Sequence, residues 1–167
     1  MPQTVSCYLS RSWVAAGVIF AAAPLGVTLR AQALRAQAPD GAKIYAAACT
    51  ACHQASGLGI PGQFPPLAGS EWVTGSEERL IRIILHGITG EIEVEGETFT
   101  GVMPTWGPTF KDDELAAVAT YVRRAWGNRA GPISTSTVTR IRLATAWRTK
   151  PWTAVELQQA MRATPPE

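Results

Sequence analysis

The spacing C-x-x-C-H in the stretch "AACTACHQ" restricts this chain more than any other feature, because it places Cys49, Cys52 and His53 within five residues. Such a motif serves as a redox-active dithiol, as part of a metal site, or as the attachment point of a c-type haem. A dithiol site is expected near a βαβ pattern, and none is predicted here. A structural zinc site needs four ligands, but the sequence has no second C-x-x-C and no H-x-x-x-H. Haem attachment, with His53 binding the iron, is therefore the favoured interpretation.

The first 38 residues have the pattern of a secretion signal. Arg11 precedes an uncharged run over residues 12–29, and Ala-x-Ala sites follow at residues 31–33 and 36–38. We expect residues 1–38 to be a signal peptide or, if they are not cleaved, an N-terminal anchor. The protein is accordingly expected to be exported and periplasmic, with membrane association only through an uncleaved leader. A free pair of neighbouring thiols would be oxidised in an exported protein. Covalent attachment to haem would explain why Cys49 and Cys52 are not left free.

The charge pattern argues against a nucleic acid partner. Without the leader, the chain loses three of its 15 basic residues and keeps all 13 acidic ones, so its net charge is close to zero. Acidic residues dominate from residue 39 to 128, and basic residues dominate from Arg129 onward. The basic segment is predicted to be a strap on the acidic domain or a partner surface, although solvated helix faces explain such charges equally well.

Local patterns predict an all-α chain with long loops. Three core helices are expected, and they run from Gly41 to the motif, from Thr74 to Gly87 and from Asp112 to about Gly127. The Gly- and Pro-rich residues 53–72 predict a loop, and "GEIEVEGETFTG" predicts a short hairpin or an extended loop that turns at Glu95 and Gly96.

The remainder of the chain predicts a helical tail. A weaker helical pattern covers residues 138–147, and a capping box of Thr153 with Glu156 begins a last helix. The predicted organisation is therefore a leader over residues 1–38, a haem domain over residues 39–128 and a basic helical tail over residues 129–167.

A second iron ligand is expected from Met103, in "FTGVMPTWGPTF". It is predicted to lie in a turn just before Pro104, well separated from the first helix, where a stiff loop could present a thioether to the other face of a haem. Core packing is the alternative, since a lone methionine is far more often a core residue than a ligand. His86, at the end of an apolar helix, is the competing ligand, although a histidine there more often packs or bonds a backbone carbonyl.

Four segments together resemble a class I cytochrome c: "GAKIYAAACTACH", "FPPLAGSEW", "GVMPTWG" and "LAAVATYVRRAWGN". The resemblance covers roughly residues 40–128. It implies the cytochrome c fold and one haem c bound covalently by Cys49 and Cys52, with His53 and Met103 as axial ligands. It also implies that the carbonyl of Pro65 or Pro66 orients His53, and that the first and last helices cross closely at Gly41, Tyr45 and Tyr121.

Several larger side chains allow two interpretations. Trp72, Trp106 and Trp126 are expected to fill the core, with the haem pocket as the alternative. Most of the arginines that could approach haem propionates are expected to be solvated helix-surface charges: Arg79, Arg82, Arg123 and Arg124.

A haem whose two axial positions are filled by protein has no open site for substrate, so we expect an electron carrier and not an enzyme. The predicted function is a periplasmic monohaem cytochrome that passes single electrons from an exported dehydrogenase to an oxidase or another cytochrome. Two alternatives stay open: a haem subunit stably bound in a dehydrogenase complex, with the tail as its docking arm, and a ligand-binding or catalytic haem protein with a displaceable sixth ligand.

Overall fold

Asp40 begins the first helix of the computed structural model, which describes residues 38–163. Its carboxylate accepts the backbone N–H groups of Ala42 (3.0 Å) and Lys43 (3.2 Å), which lie in the first turn of α1 (Gly41–Ala48). A second short helix, α2 (Thr50–His53), continues after Cys49 and ends at Gln54, whose φ is +60°. The C-x-x-C-H motif therefore lies at the end of a helical segment, as predicted.

The segment after the motif is irregular up to residue 70, and two helices follow it. The first, α3 (Glu71–Thr74), is one short turn that the sequence did not predict. The second is α4 (Glu77–His86), and its N-cap is Ser76, not the predicted Thr74. The Thr74 hydroxyl is already engaged, because it donates to the Ser70 carbonyl at 2.9 Å and so completes the turn of α3.

A β-hairpin follows α4 and shows that the all-α prediction was incomplete. Strands β1 (Ile88–Val94) and β2 (Glu97–Met103) pair antiparallel over seven residues each. The turn lies at Glu95 and Gly96, as predicted, and both residues have positive φ angles of 52° and 79°. The buried residues Ile88, Val94 and Phe99 share one face of the paired strands, so this segment is a hairpin packed on the core and not an extended loop.

The last predicted core helix, α5 (Asp112–Val122), crosses α1 at close range. A Cβ atom on Gly41 would overlap the backbone carbonyl of Ala117, so only glycine permits this approach. Tyr45 packs beside the crossing, with its ring centroid 5.4 Å from that of Tyr121. The regular helix ends earlier than the sequence suggested, and Trp126 has a φ of +53° in the turn beyond it.

The C-terminal tail forms two helices, α6 (Thr135–Ala144) and α7 (Ala154–Ala163). α6 begins and ends three residues earlier than predicted, because Ser134 caps it by accepting the Thr137 N–H at 3.1 Å. α7 begins with the predicted capping box, in which Thr153 and Glu156 exchange side-chain-to-backbone hydrogen bonds of 3.0 and 3.3 Å.

The tail is packed into the interior of the described unit. Three of its apolar side chains, Ile133, Val138 and Ile141, are buried in one core with α1, α4 and α5. Trp152 and Leu157 are buried in a second cluster with α4 and β1. The backbone of Trp152 also bonds the hairpin, since its N–H donates to Gly87 (3.0 Å) and its carbonyl accepts from Thr89 (2.7 Å). The strap hypothesis for this segment therefore agrees with the packing.

The predicted leader lies outside the described residues, except for Ala38. Between residues 38 and 163, no helix has both the length and the apolar character needed to cross a membrane.

Candidate functional site

An apolar cleft opens between the motif, α4 and the hairpin, and it contains the predicted site residues. Its empty volume is about 1330 Å³, including the space at its mouth that is open to solvent. Cys49, Cys52, His53 and Met103 all line it, although Met103 is 50 residues from His53 in sequence. The described fold thus brings two thiols, one imidazole and one thioether to a single cleft.

The ring of His53 is fixed by Pro65, the first of the two prolines considered. Its Nδ1 lies 3.0 Å from the Pro65 carbonyl oxygen, to which it donates as a neutral ring. Burial lowers the pKa of His53, and this effect outweighs the opposing hydrogen bond to Pro65. With its proton on Nδ1, the neutral imidazole keeps the lone pair of Nε2 for a metal. Pro66 lines the cleft beside it.

The two thiols do not have the character of a redox-active dithiol. Cys49 and Cys52 are partly buried and form no disulfide with each other. Burial, with a smaller contribution from Cys52, raises the pKa of Cys49 to about 11. A reactive dithiol has one thiol with a lowered pKa, usually at a helix N-terminus or beside a cation. Here burial raises the thiol pKa of Cys49 instead, and no cation is among the causes of that shift.

Between residues 38 and 163, no group of three or more His, Cys, Asp or Glu side chains is arranged so that it could hold a metal ion.

The position of Met103 before Pro104 predicted a turn. In the structure, Met103 is instead the last residue of β2. It pairs with Ile88 across the hairpin, and its side chain packs against both apolar clusters. The chain beyond it is tied to the end of α4. Trp106 N–H donates to Ile84 at 3.0 Å, and Gly107 N–H donates to Leu85 at 3.0 Å. Met103 therefore enters the cleft from a segment that is anchored on both sides.

His86, the competing ligand, is not among the residues that line the cleft. Its Nε2 lies 2.8 Å from the hydroxyl of Thr145, which itself donates to the Ile141 carbonyl at 2.7 Å. The Thr145 hydroxyl therefore accepts a hydrogen bond from the Nε2–H group of His86. Burial lowers the pKa of His86, and the charges of Arg148, Arg82 and Arg142 lower it further. The structure thus uses His86 as a neutral link between α4 and the tail.

The hairpin forms one wall of the cleft and leaves a flat opening in it. Gly90 lies opposite Gly101 on the face that also carries Ile92 and Phe99. A Cβ atom at either glycine would meet no other heavy atom within 4 Å. The space in front of the hairpin backbone is therefore open to a flat ligand. The sequence contains both glycines, but only the strand register shows that they face each other.

The three tryptophans have different surroundings. Trp72 and Trp106 line the cleft, and Trp106 stacks on Phe110 with ring centroids 5.2 Å apart. Trp126 packs instead against Tyr45 at 4.9 Å, and its Nε1 donates to the Ala55 carbonyl at 3.0 Å. Trp126 therefore supports the loop after the motif from outside the cleft.

The expectation that most of the four arginines are solvated was wrong for two of them. Arg82 is 8% exposed and pairs with Glu78 through its Nε at 3.0 Å. Arg123 is 5% exposed and donates to backbone carbonyls. Arg79 lies over the ring of Trp72, and Arg124 is exposed. None of the four lines the cleft, so the propionate alternative has no support from their positions.

Asn128 was overlooked in the sequence, where it only marked a helix end. It is 7% exposed, its amide donates to the carbonyls of Leu67 (2.9 Å) and Val122 (2.7 Å), and its oxygen accepts from Gly69 (2.8 Å). It thereby fixes the cleft loop against α5. Partners about 60 residues away leave no local signal in the sequence.

Comparison with known proteins agrees with this site. The sequence profile of the family described as "Cytochrome C oxidase, cbb3-type, subunit III" matches residues 36–122, roughly half of the chain. The chain belongs to this family of c-type cytochromes. The resemblance to cytochrome c that the four segments suggested is therefore confirmed.

This chain covers very different shares of its individual relatives. The chain is 50% identical over 93 residues to cytochrome c-552 of Thermus thermophilus, which is 53% of this chain and 70% of that protein. It is 33% identical over 105 residues to the cytochrome c subunit of the alcohol dehydrogenase (quinone) of Gluconacetobacter polyoxogenes, covering 61% of this chain and 22% of that one. The cbb3-type cytochrome c oxidase subunit FixP of Bradyrhizobium sp. (strain ORS 278) is 34% identical over 94 residues. This alignment covers 55% of this chain and 29% of FixP.

The residues of the cleft fit the haem that this cytochrome family implies. Two thiols and a neutral imidazole line it beside a thioether, and these are the donor types of His/Met-ligated haem c. Its wall is apolar, and the glycine pair of the hairpin leaves room for a flat ring.

Proposed function

We propose that this chain is an exported monohaem c-type cytochrome that carries single electrons between a dehydrogenase and an oxidase or another cytochrome. The main support is the convergence of Cys49, Cys52, His53 and Met103 on one apolar cleft. In the proposed site, the two cysteines hold the haem covalently, and His53 Nε2 and Met103 Sδ bind the iron. Such a haem supplies reversible one-electron transfer at its iron.

The protein residues set the conditions for that electron transfer. The Pro65 carbonyl accepts from His53 Nδ1 at 3.0 Å, which fixes the ring and makes Nε2 a better donor. Apolar side chains around the cleft disfavour the additional positive charge of oxidised iron. A thioether ligand favours the reduced state in the same direction, so the potential of this cytochrome is expected to be positive.

A stably bound dehydrogenase subunit is the second candidate, because several relatives are named as cytochrome subunits of dehydrogenases. The tail is not free to act as a docking arm in such a complex, because its described part, residues 129–163, is packed against the rest of the described chain. The apolar side chains of its Ile141, Trp152 and Leu157 are at most 2% exposed within this chain. Removing residues 129–167 would therefore expose the core, and association has to be tested with the full chain.

The optical spectrum of the exported full chain tests the proposed site. Covalently bound haem, together with the weak red band of thioether-to-ferric-iron ligation, would support the proposal. Covalent haem without that band would remove Met103 as ligand and favour the ligand-binding alternative. A protein without haem would overturn the proposal and restore the dithiol interpretation.

Binding of carbon monoxide to the reduced protein separates a carrier from a ligand-binding haem protein. Two firmly bound axial ligands leave no open position, so slow or absent binding is expected. Rapid, complete binding would contradict the carrier function. Size-exclusion chromatography of the same preparation then tests the second candidate, because a stable dehydrogenase complex elutes as a larger species.

A further inference from the structure

We propose that Arg142, in the basic tail, is a positioning residue for Met103 and controls how easily another ligand displaces the thioether. The proposal rests on the proposed function, because it requires haem with Met103 as ligand. The tail lies outside the segment matched by the family profile, which ends at residue 122. Its position is thus a property of this chain that the family match does not describe.

Arg142 binds the segment that connects Met103 to α5. Its Nη1 donates to the Gly107 carbonyl at 2.6 Å and its Nη2 donates to the Phe110 carbonyl at 2.8 Å. Its Nε donates to the Asp112 carboxylate at 2.6 Å. One planar guanidinium therefore fixes both ends of residues 107–110 and the first residue of α5. The side chain spans acceptors that are 30 to 35 residues away in sequence.

The Arg142 side chain is itself held in place. The second carboxylate oxygen of Asp112 accepts from the hydroxyl of Thr139 at 2.5 Å, and Thr139 lies one turn before Arg142 on α6. Because Val138 and Ile141 bury α6 in the core, the guanidinium is presented from a rigid helix.

Residues 103–110, which we call the methionine segment, are also bound by α4. Gly107 N–H donates to the Leu85 carbonyl at 3.0 Å, and the Thr105 hydroxyl donates to the same carbonyl at 2.5 Å. Gly107 is the point where both restraints meet, since its N–H binds α4 and its carbonyl binds Arg142. It lies four positions after Met103 in the sequence. Displacement of the thioether requires residues 103–110 to move away from the iron. The fraction of molecules in which this segment has moved therefore sets the apparent affinity for a competing ligand.

Arg123 provides a matched control for a purely structural effect. It also donates to three backbone carbonyls, those of Gly131 (2.8 Å), Val73 (2.9 Å) and Gly75 (2.9 Å). These acceptors lie at the end of α3 and at the start of the tail, away from residues 103–110. Arg123→Ala should therefore lower stability without loosening the methionine segment.

The test is a titration of the haem-loaded ferric full chain with imidazole, followed through loss of the thioether-to-iron band. Arg142→Ala should raise the apparent imidazole affinity about tenfold or more, because charge-assisted hydrogen bonds to the closed segment are lost. Arg142→Lys should give an intermediate increase, since an ammonium group cannot reach all three acceptors. Arg123→Ala should leave the affinity within about twofold of wild type, although its melting temperature falls.

The outcomes separate this inference from the proposed function. Wild-type protein with haem but without the band would overturn Met103 ligation and this inference together. A wild-type band with unchanged imidazole affinity in Arg142→Ala would overturn the inference alone. Equal increases in Arg142→Ala and Arg123→Ala would also overturn it, because loss of global stability would then be the cause. If Arg142→Ala does not accumulate as folded protein, the imidazole titration is carried out with Arg142→Lys and Asp112→Asn instead. An imidazole affinity equal to that of the wild type in both variants would overturn the inference.

Discussion

Gly90 and Gly101 lie directly opposite each other in the hairpin, on the face turned toward the cleft. The neighbouring positions on this face carry the apolar side chains of Ile88, Ile92 and Phe99. The glycine pair is therefore a gap in an otherwise filled wall, and no heavy atom lies within 4 Å of where either Cβ would be. We expect a flat cofactor to pack against the backbone at this gap.

Gly101→Leu should impair haem incorporation. The leucine side chain would occupy the open space, and overfilling a packed site typically costs about 1–3 kcal/mol. The fraction of purified protein that carries covalent haem should fall severalfold, as measured by the haem-to-protein absorbance ratio. Thr98→Leu is the control, because Thr98 is an exposed residue of the same strand that does not line the cleft. Equal haem content in both variants would contradict packing of the haem against the hairpin.

Met103→His should lower the reduction potential. An imidazole stabilises ferric iron better than a thioether does, and axial ligands tune haem potentials over roughly 0.8 V. A decrease on the order of 0.1 V or more is expected in a spectroelectrochemical titration. Met161→His is the matched control, because Met161 lies on α7 and does not line the cleft. A potential unchanged in Met103→His would remove Met103 from the ligand set.

Gly41→Ala should destabilise the fold through the crossing of α1 and α5. Its methyl group would overlap the Ala117 carbonyl, so the two helices would have to move apart. We expect a loss of about 1–3 kcal/mol in the free energy of unfolding by denaturant. Gly131→Ala is the control, since the nearest atom to its Cβ would be Glu77 Oε1 at 4.0 Å. Similar losses in both variants would indicate a general effect of glycine replacement.

The features that could be predicted from the sequence are those with local causes. The turn at Glu95 and Gly96 needs two residues that accept positive φ, and the α7 capping box needs Thr153 and Glu156 at fixed spacing. The convergence of the motif with Met103 was predicted from the position of Met103 before Pro104, away from the first helix, and the family resemblance implied the same pair of ligands. Periodicity alone would not have placed Met103 in the same cleft as His53.

The features that were missed depend on contacts between distant parts of the chain. The spacing of Thr74 to Glu77 fits a capping box and predicts Thr74 as the helix cap, but its hydroxyl donates to the Ser70 carbonyl within α3. The burial of Arg82 and Arg123 needs the tail and α3 as neighbours, and charged residues are otherwise expected at the surface. The roles of Asn128 and Arg142 likewise appear only when their remote acceptors are known.

Acid should weaken the attachment of the tail through Asp112. Partial burial alone would raise the pKa of Asp112, but hydrogen bonds from Thr139 and Arg142, together with the Arg142 charge, hold this pKa below its usual 3.8. A carboxylate with a lower pKa in the folded state stabilises the fold above its unfolded-state pKa. That stabilisation is lost as the pH falls from about 4 through the lower folded-state pKa.

Asp112→Asn should therefore cost more at neutral pH than in acid. At pH 7 the substitution removes charge-assisted hydrogen bonds from Arg142 and Thr139, and a loss of about 1–3 kcal/mol in the free energy of unfolding is expected. As the pH falls through the lowered pKa of Asp112, the wild-type carboxyl group becomes protonated, so the two proteins should approach the same stability. Urea unfolding curves between pH 2 and 7 measure this difference, with Asp113→Asn, an exposed neighbour, as the control. A constant difference across that range would show that the Asp112 charge does not contribute to holding the tail.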